Sequence, residues 1–241
     1  MIEQLVVNGC SYAEGYAAGA GHVDLARRLN IMGPHGPRAS TLAIGGSANS
    51  RILRTTLKHS YQTNRPTLYV LGMTFISRSE IPICEPINNF EGRWTNPQNQ
   101  NFAHLWQVGW SKRDTEQFVK LKLKTEVMSI IDRTEDLMYS MLATISDLKS
   151  RGHRVLMFQQ ADDLYHEYLG DPRLQLFKRP EIIHGFAWRA IEYQYRQGVK
   201  QMSDDMTENY VPPEMKHAQI GEHAVLNEYL TSYINEHKLL S

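Results

Sequence analysis

Leu5-Val6-Val7-Asn8-Gly9-Cys10-Ser11-Tyr12-Ala13-Glu14-Gly15-Tyr16 reads as a short apolar strand running into a small-residue turn that carries one serine. Leu5 to Val7 are β-formers bounded by Asn8 and Gly9, the pattern of a buried central strand. Gly9 permits a turn that a residue with a Cβ would resist. Ser11 then stands at the carboxyl end of a strand, the edge at which open α/β sheets bind ligands. A serine hydroxyl becomes a nucleophile only beside a base, an orienting acid and oxyanion donors. Cys10, in the same turn, is the alternative thiol nucleophile.

The far end of the chain offers a base and an acid. Glu214-Met215-Lys216-His217 places a carboxylate three residues before a histidine, just ahead of an amphipathic run. At that spacing Glu214 can accept the His217 Nδ1 proton, leaving Nε2 to take the proton of Ser11. Asp162 and Asp163, after a later strand, are the next carboxylates in line; two acids there also read as a solvated loop or a helix cap. His223, six residues beyond His217, reads as structural.

Working outward, Tyr16 to Asn30 has a helical face in Val23, Leu25, Ala26 and Leu29, and Met32 to Pro37 is a loop punctuated by glycine and proline. Thr41 to Ile44 is the second strand, ending at Gly45-Gly46, and Ser47 caps a helix to about Tyr61. Thr67 to Gly72 is the third strand and Arg154 to Gln159 the fourth. Residues 115 to 150 carry a helical Met and Leu stripe that is core or an oligomer contact. Asp171 to Tyr195 is read as holding His184 and Trp188 on a helix, and Ala218 to His237 as a closing helix. Strands separated by helices argue for parallel βαβ units. From about 79 to 114 the pattern dissolves into prolines, amides and tryptophans, an irregular insertion that forms a substrate wall or a loop pinned by its own aromatics.

Gly9-Cys10-Ser11 with Gly15-Tyr16 resembles the first block of the SGNH (GDSL-type) hydrolases, and Glu214-x-x-His217 is similar to their last block, usually Asp-x-x-His. Leu42 to Asn49 resembles the second block, whose glycine, matched by Gly46, gives an N–H to the oxyanion hole. Leu71-Gly72-Met73-Thr74-Phe75 stands where the third block, Gly-x-Asn-Asp, is expected, so Thr74 replaces the oxyanion asparagine. The resemblance runs from residue 5 to about residue 234, although only short motifs carry it. It implies a three-layer α/β/α sandwich, flavodoxin-like, with a mainly parallel central sheet. It also implies a single domain over 1–241, a Ser11-His217-Glu214 triad, and an oxyanion hole from Ser11, Gly46 and Thr74. Tyr12, Asn49, Arg78 and Trp94 are the substrate-contact residues in this reading. The activity implied is ester hydrolysis, and the polar, aromatic insertion favours an O-acetylated carbohydrate. The rival is a catalytically degenerate SGNH-like module that binds or builds, for instance in a virion, with a phage origin.

Composition narrows the remaining classes. A chain of 241 residues, 41% hydrophobic, is long enough for one sizeable core. Lys plus Arg and Asp plus Glu balance at 26 each, so no net charge draws nucleic acid or an acidic membrane surface. No stretch reads as a secretory signal or a membrane span, and two cysteines, Cys10 and Cys84, give no disulfide framework. The expectation is a soluble cytoplasmic protein, in a host cell or a virion if phage-encoded. The glycines at 15, 19 and 21 do not form G-x-G-x-x-G, no Walker loop or H-E-x-x-H occurs, and no cofactor or metal is implied.

Overall fold

β1 (Gln4–Asn8) lies inside a five-stranded sheet, flanked by β4 (Ala39–Thr41) on one side and β5 (Thr67–Met73) on the other. β8 (Arg154–Gln159) and β9 (Ile182–Ala187) extend the sheet beyond β5, giving the order β4-β1-β5-β8-β9. Every pairing is parallel, with Val7 opposite both Thr41 and Val70, Val70 opposite Leu156, and Met157 opposite Ile182. This computed structural model describes residues 1–45, 47–74, 79–82, 102–105, 130–159, 177–187 and 220–241.

Parallel sheets need cover on both faces, which is why these strands read as continuous apolar runs. Side chains alternate between the faces. Leu5, Val7, Leu68, Val70, Leu156 and Phe158 enter one core with α1 (Ser11–Ala18), α2 (Gly21–Arg28) and α5 (Ile220–Glu236). Val6, Tyr69, Leu71, Met73, Val155 and Met157 enter the other with α3 (Asn49–Gln62) and α4 (Ile130–Ser150). The fold is therefore α/β, helices on both sides of a parallel sheet, as the strand and helix pattern predicts. Chain order across the sheet is 2-1-3-4-5, the flavodoxin-like winding, which reverses direction at β1.

Several local expectations are corrected. The helix expected over 16–30 is broken at Gly19 and Ala20: Ala20 is left-handed (φ 58) and caps α2. The break lets the Tyr16 ring lie against Gly21, where an added Cβ would sit 2.3 Å from the ring. The loop at 32–37 contains a minimal antiparallel pair, β2 (Met32–Gly33) with β3 (Gly36–Pro37), turned by Gly36 at φ 124. The second strand ends at Thr41 rather than Ile44, although Leu42 N–H still donates to the Val7 carbonyl at 2.8 Å. Ala48, not Ser47, occupies the cap of α3, because the Ser47 hydroxyl donates to the Ile44 carbonyl instead. His184 lies in strand β9 rather than in a helix. Within 79–114, β6 (Ser79–Pro82) and β7 (Phe102–Leu105) form an antiparallel pair where no period was legible.

α5 is fixed to the start of the chain by buried polar contacts. The Tyr16 hydroxyl donates to Asn227 Oδ1, and Asn227 Nδ2 donates to the Gly21 carbonyl (3.0 Å) and to Asp24 Oδ2 (2.9 Å). Burial raises the Asp24 carboxyl, but the Arg28 and Asn227 hydrogen bonds outweigh it and hold the group below its usual range. Among the described residues no helix is long and apolar enough to cross a membrane.

Candidate active site

Ser11 is the first residue of α1, immediately beyond the carboxyl end of β1. The N–H groups of a helix's first turn lack intrahelical partners and sit at the positive end of its dipole. Tyr12 follows in the same turn. Asn8 anchors this corner: its Oδ1 accepts the Gly9 N–H (2.9 Å), and its Nδ2 donates to the Ile52 carbonyl and to the Thr55 and Thr56 hydroxyls, each at 2.9 Å. Cys10, the thiol of the same turn, is 1% exposed, and burial counts against it as a reactive cysteine.

Two other chain segments are tied to this corner. The Glu14 carboxylate accepts the Gly45 N–H at 2.7 Å, linking the first turns of α1 to the loop after β4. Below that loop the Ser47 hydroxyl accepts from Arg51 Nη1 at 3.0 Å, and the same guanidinium nitrogen donates to the Leu42 carbonyl at 3.3 Å. At the end of β5, Thr74 N–H donates to Asn49 Oδ1 (2.7 Å) and Asn49 Nδ2 donates to the Thr74 carbonyl (3.0 Å). Asn8 pairs with Leu71 across β1 and β5, so Ser11 and Thr74 each lie three residues beyond one register pair. Beside Thr74 a shallow crevice of about 10 Å³, room for little more than one water, is walled by Met73, Leu137, Met141, Met157 and Phe158.

Of the residues singled out from sequence, Ser11, Tyr12, Asn49 and Thr74 thus fall at one edge of the sheet. Asn49 is buried with its amide engaged on Thr74, so the geometry gives it a bracing contact with backbone. Gly46, Arg78, Trp94, Asp162, Asp163, Glu214 and His217 lie outside the described residues. α5, which begins three residues after His217 in sequence, packs in the same layer as α1 and α2. His223 is buried on that helix, edge-on to Tyr16 with ring centroids 5.2 Å apart, a packing role.

Two solved structures align with this chain at low identity. Aligned with a crystal structure of TesA it has 12% identity and a TM-score of 0.43, over 97% of this chain and 99% of that one. With YxiM from Bacillus subtilis it has 11% identity and a TM-score of 0.47, over 99% of this chain and 58% of that one. No protein-family model and no curated protein matches this chain.

Sequence reading missed three residues that build this corner: Asn8, Glu14 and Arg51. Asn8 looked like a strand terminator, and an acid in a first helical turn is ordinary dipole complementation. Arg51 is an arginine on a helix, a residue type usually solvated, yet it is 3% exposed beneath the β4–α3 loop. Its signal was its place two residues after Asn49 on a helix whose buried face includes Ile52 and Thr56.

Proposed function

We propose that this protein is a serine esterase of the SGNH type. The observation that carries the reading is the position of Ser11, first in α1 at the carboxyl edge of β1, where the winding of the sheet reverses. The motif resemblance supplies the remaining parts. Ser11 Oγ attacks the ester carbonyl while His217 Nε2 takes its proton, and Glu214 holds Nδ1–H and stabilises the imidazolium. The oxyanion receives the Ser11 and Gly46 N–H groups and the Thr74 hydroxyl. Collapse of the tetrahedral intermediate expels the alcohol with the proton from His217. Water, deprotonated by the same histidine, then releases the acid and restores the serine. An O-acetylated carbohydrate is the substrate class in this reading.

One observation favours the rival, a degenerate binding or structural module. Thr74 offers a hydroxyl shorter than the asparagine amide of the third block, and its backbone N–H is already given to Asn49. Fluorophosphonate labelling followed by intact mass separates the two. One adduct on the wild-type chain, absent from Ser11→Ala and His217→Ala, is the outcome for an esterase. No adduct under conditions that label a control serine esterase would leave the binding module standing.

A further inference from the structure

We infer that Glu14 is a positioning residue for the oxyanion loop, acting through the Gly45 N–H; this rests on the esterase reading above. In that reading the N–H of Gly46 must point at the reacting carbonyl, and a glycine-rich turn has little intrinsic preference to hold it there. The residues on either side of position 46 are fixed. Before it, Gly45 N–H donates to Glu14 Oε2 at 2.7 Å, a charge-assisted bond short enough to set the backbone. After it, Ser47 N–H and Oγ both donate to the Ile44 carbonyl, at 3.3 and 2.6 Å, and Arg51 holds the Ser47 hydroxyl from below.

Glu14 lies three residues after Ser11 on α1, within one helical turn. One short helix therefore carries both the nucleophile and the acceptor that locates the loop opposite it. The distance from nucleophile to oxyanion donor is then set through a single rigid element rather than through two independently placed loops. Misplacement of a catalytic group by about 1 Å can cost up to about 10²-fold in rate. Glu14 is solvent-exposed, so its removal leaves no buried group stranded and should leave the fold intact. The function asked of it needs only an acceptor oxygen, which glutamine retains and alanine lacks.

The test measures the rate of fluorophosphonate labelling and the kcat and KM for a simple acyl ester in wild type, Glu14→Ala and Glu14→Gln. Melting temperature and hydrogen exchange at the Gly45 amide are followed alongside. Glu14→Ala should label at least about tenfold more slowly and lose kcat more than KM. Its Gly45 amide should exchange faster at an unchanged melting temperature, and Glu14→Gln should restore the rate to within about threefold. Equal rates in wild type and Glu14→Ala would overturn the inference while the esterase reading stood. A loss of rate that glutamine does not rescue would also overturn it, since the charge rather than the acceptor would then be at work. A wild-type chain that takes no label removes the esterase reading and this inference with it.

Discussion

Asn49 and Thr74 hold one another by two hydrogen bonds, the amide of the one closing on the N–H and carbonyl of the other at 2.7 and 3.0 Å. The pairing copies one rung of a β-ladder with a side chain in place of a strand. It ties the first turn of α3 to the end of β5, where the ladder to β8 ends at Met73. Asn49→Ala leaves both backbone groups of Thr74 without that partner at a site 4% exposed, and a loss of about 1–3 kcal/mol is expected in urea unfolding. Asn49→Asp should be no better, because its second oxygen would face the Thr74 carbonyl.

Thr74 also bears on the chemistry. Thr74→Val keeps the shape and removes the hydroxyl, so in the proposed reaction it should lower kcat by about 10-fold or more. Glu214→Gln should impair turnover through the histidine. Full activity in Thr74→Val would strike the hydroxyl from the oxyanion hole, and full activity in Glu214→Gln would move the orienting role to Asp162 or Asp163.

Neighbouring substitutions at the start of α2 should have opposite signs. Gly21→Ala places a methyl 2.3 Å from the Tyr16 ring and should destabilise by about 1–3 kcal/mol, although alanine is the better helix former. Ala20→Gly relieves a left-handed φ of 58 and should be neutral or stabilising by up to about 1 kcal/mol. Thermal melts of the two variants check both.

Acid should weaken the fold before its carboxylates titrate. Burial lowers the pKa of His59, with His153 adding to the shift, and burial likewise lowers His153, where Arg151 also opposes a charge; contacts with the Ser60 backbone and Asp147 only partly offset this. Thr67 N–H donates to His153 Nδ1 at 3.2 Å, so a proton on that nitrogen would break the bond. The Tyr69 phenol, pushed up to about 12 by burial, stays protonated and can donate to His59 Nδ1 at 2.8 Å. The unfolded chain therefore binds more protons than the folded one below about pH 6.5, and stability falls as pH drops through that value. Urea midpoints at pH 7.5 and 5.5 should show the drop, and His59→Gln with His153→Gln should flatten it. Asp24 and Glu181, whose pKa values are lowered, lose their contribution only further down, as pH falls through the acidic range.

β1, β5 and β8 were legible because both of their faces are covered, which writes them as unbroken apolar runs; Arg154 to Gln159 was placed to the residue. β9 was not, because Ile182-Ile183-His184-Gly185-Phe186-Ala187 mixes a glycine and a histidine into six residues, and what makes it a strand is pairing with β8. The break before α2 was hidden for a similar reason, since the contact of Tyr16 with Gly21 is tertiary. Ser11 stood out because a strand and a small-residue turn frame it within seven residues. Glu14 and Arg51 did not, because each is an ordinary helix residue until Gly45 and Ser47 are brought beside it from another segment.

The lock between Asn227 and α2 also dictates when the molecule becomes whole during its manufacture. A ribosome that has delivered residues 1–187 has made all five parallel strands, yet Leu25 and Ala26 still await Leu226, Leu230 and Ile234. Until then the Tyr16 hydroxyl and the Gly21 carbonyl lack their Asn227 partners, and the side of the sheet that α1 and α2 cover is missing its third helix. A nascent chain stalled short of α5 would be a substrate for chaperones and proteases rather than a slow version of the finished protein.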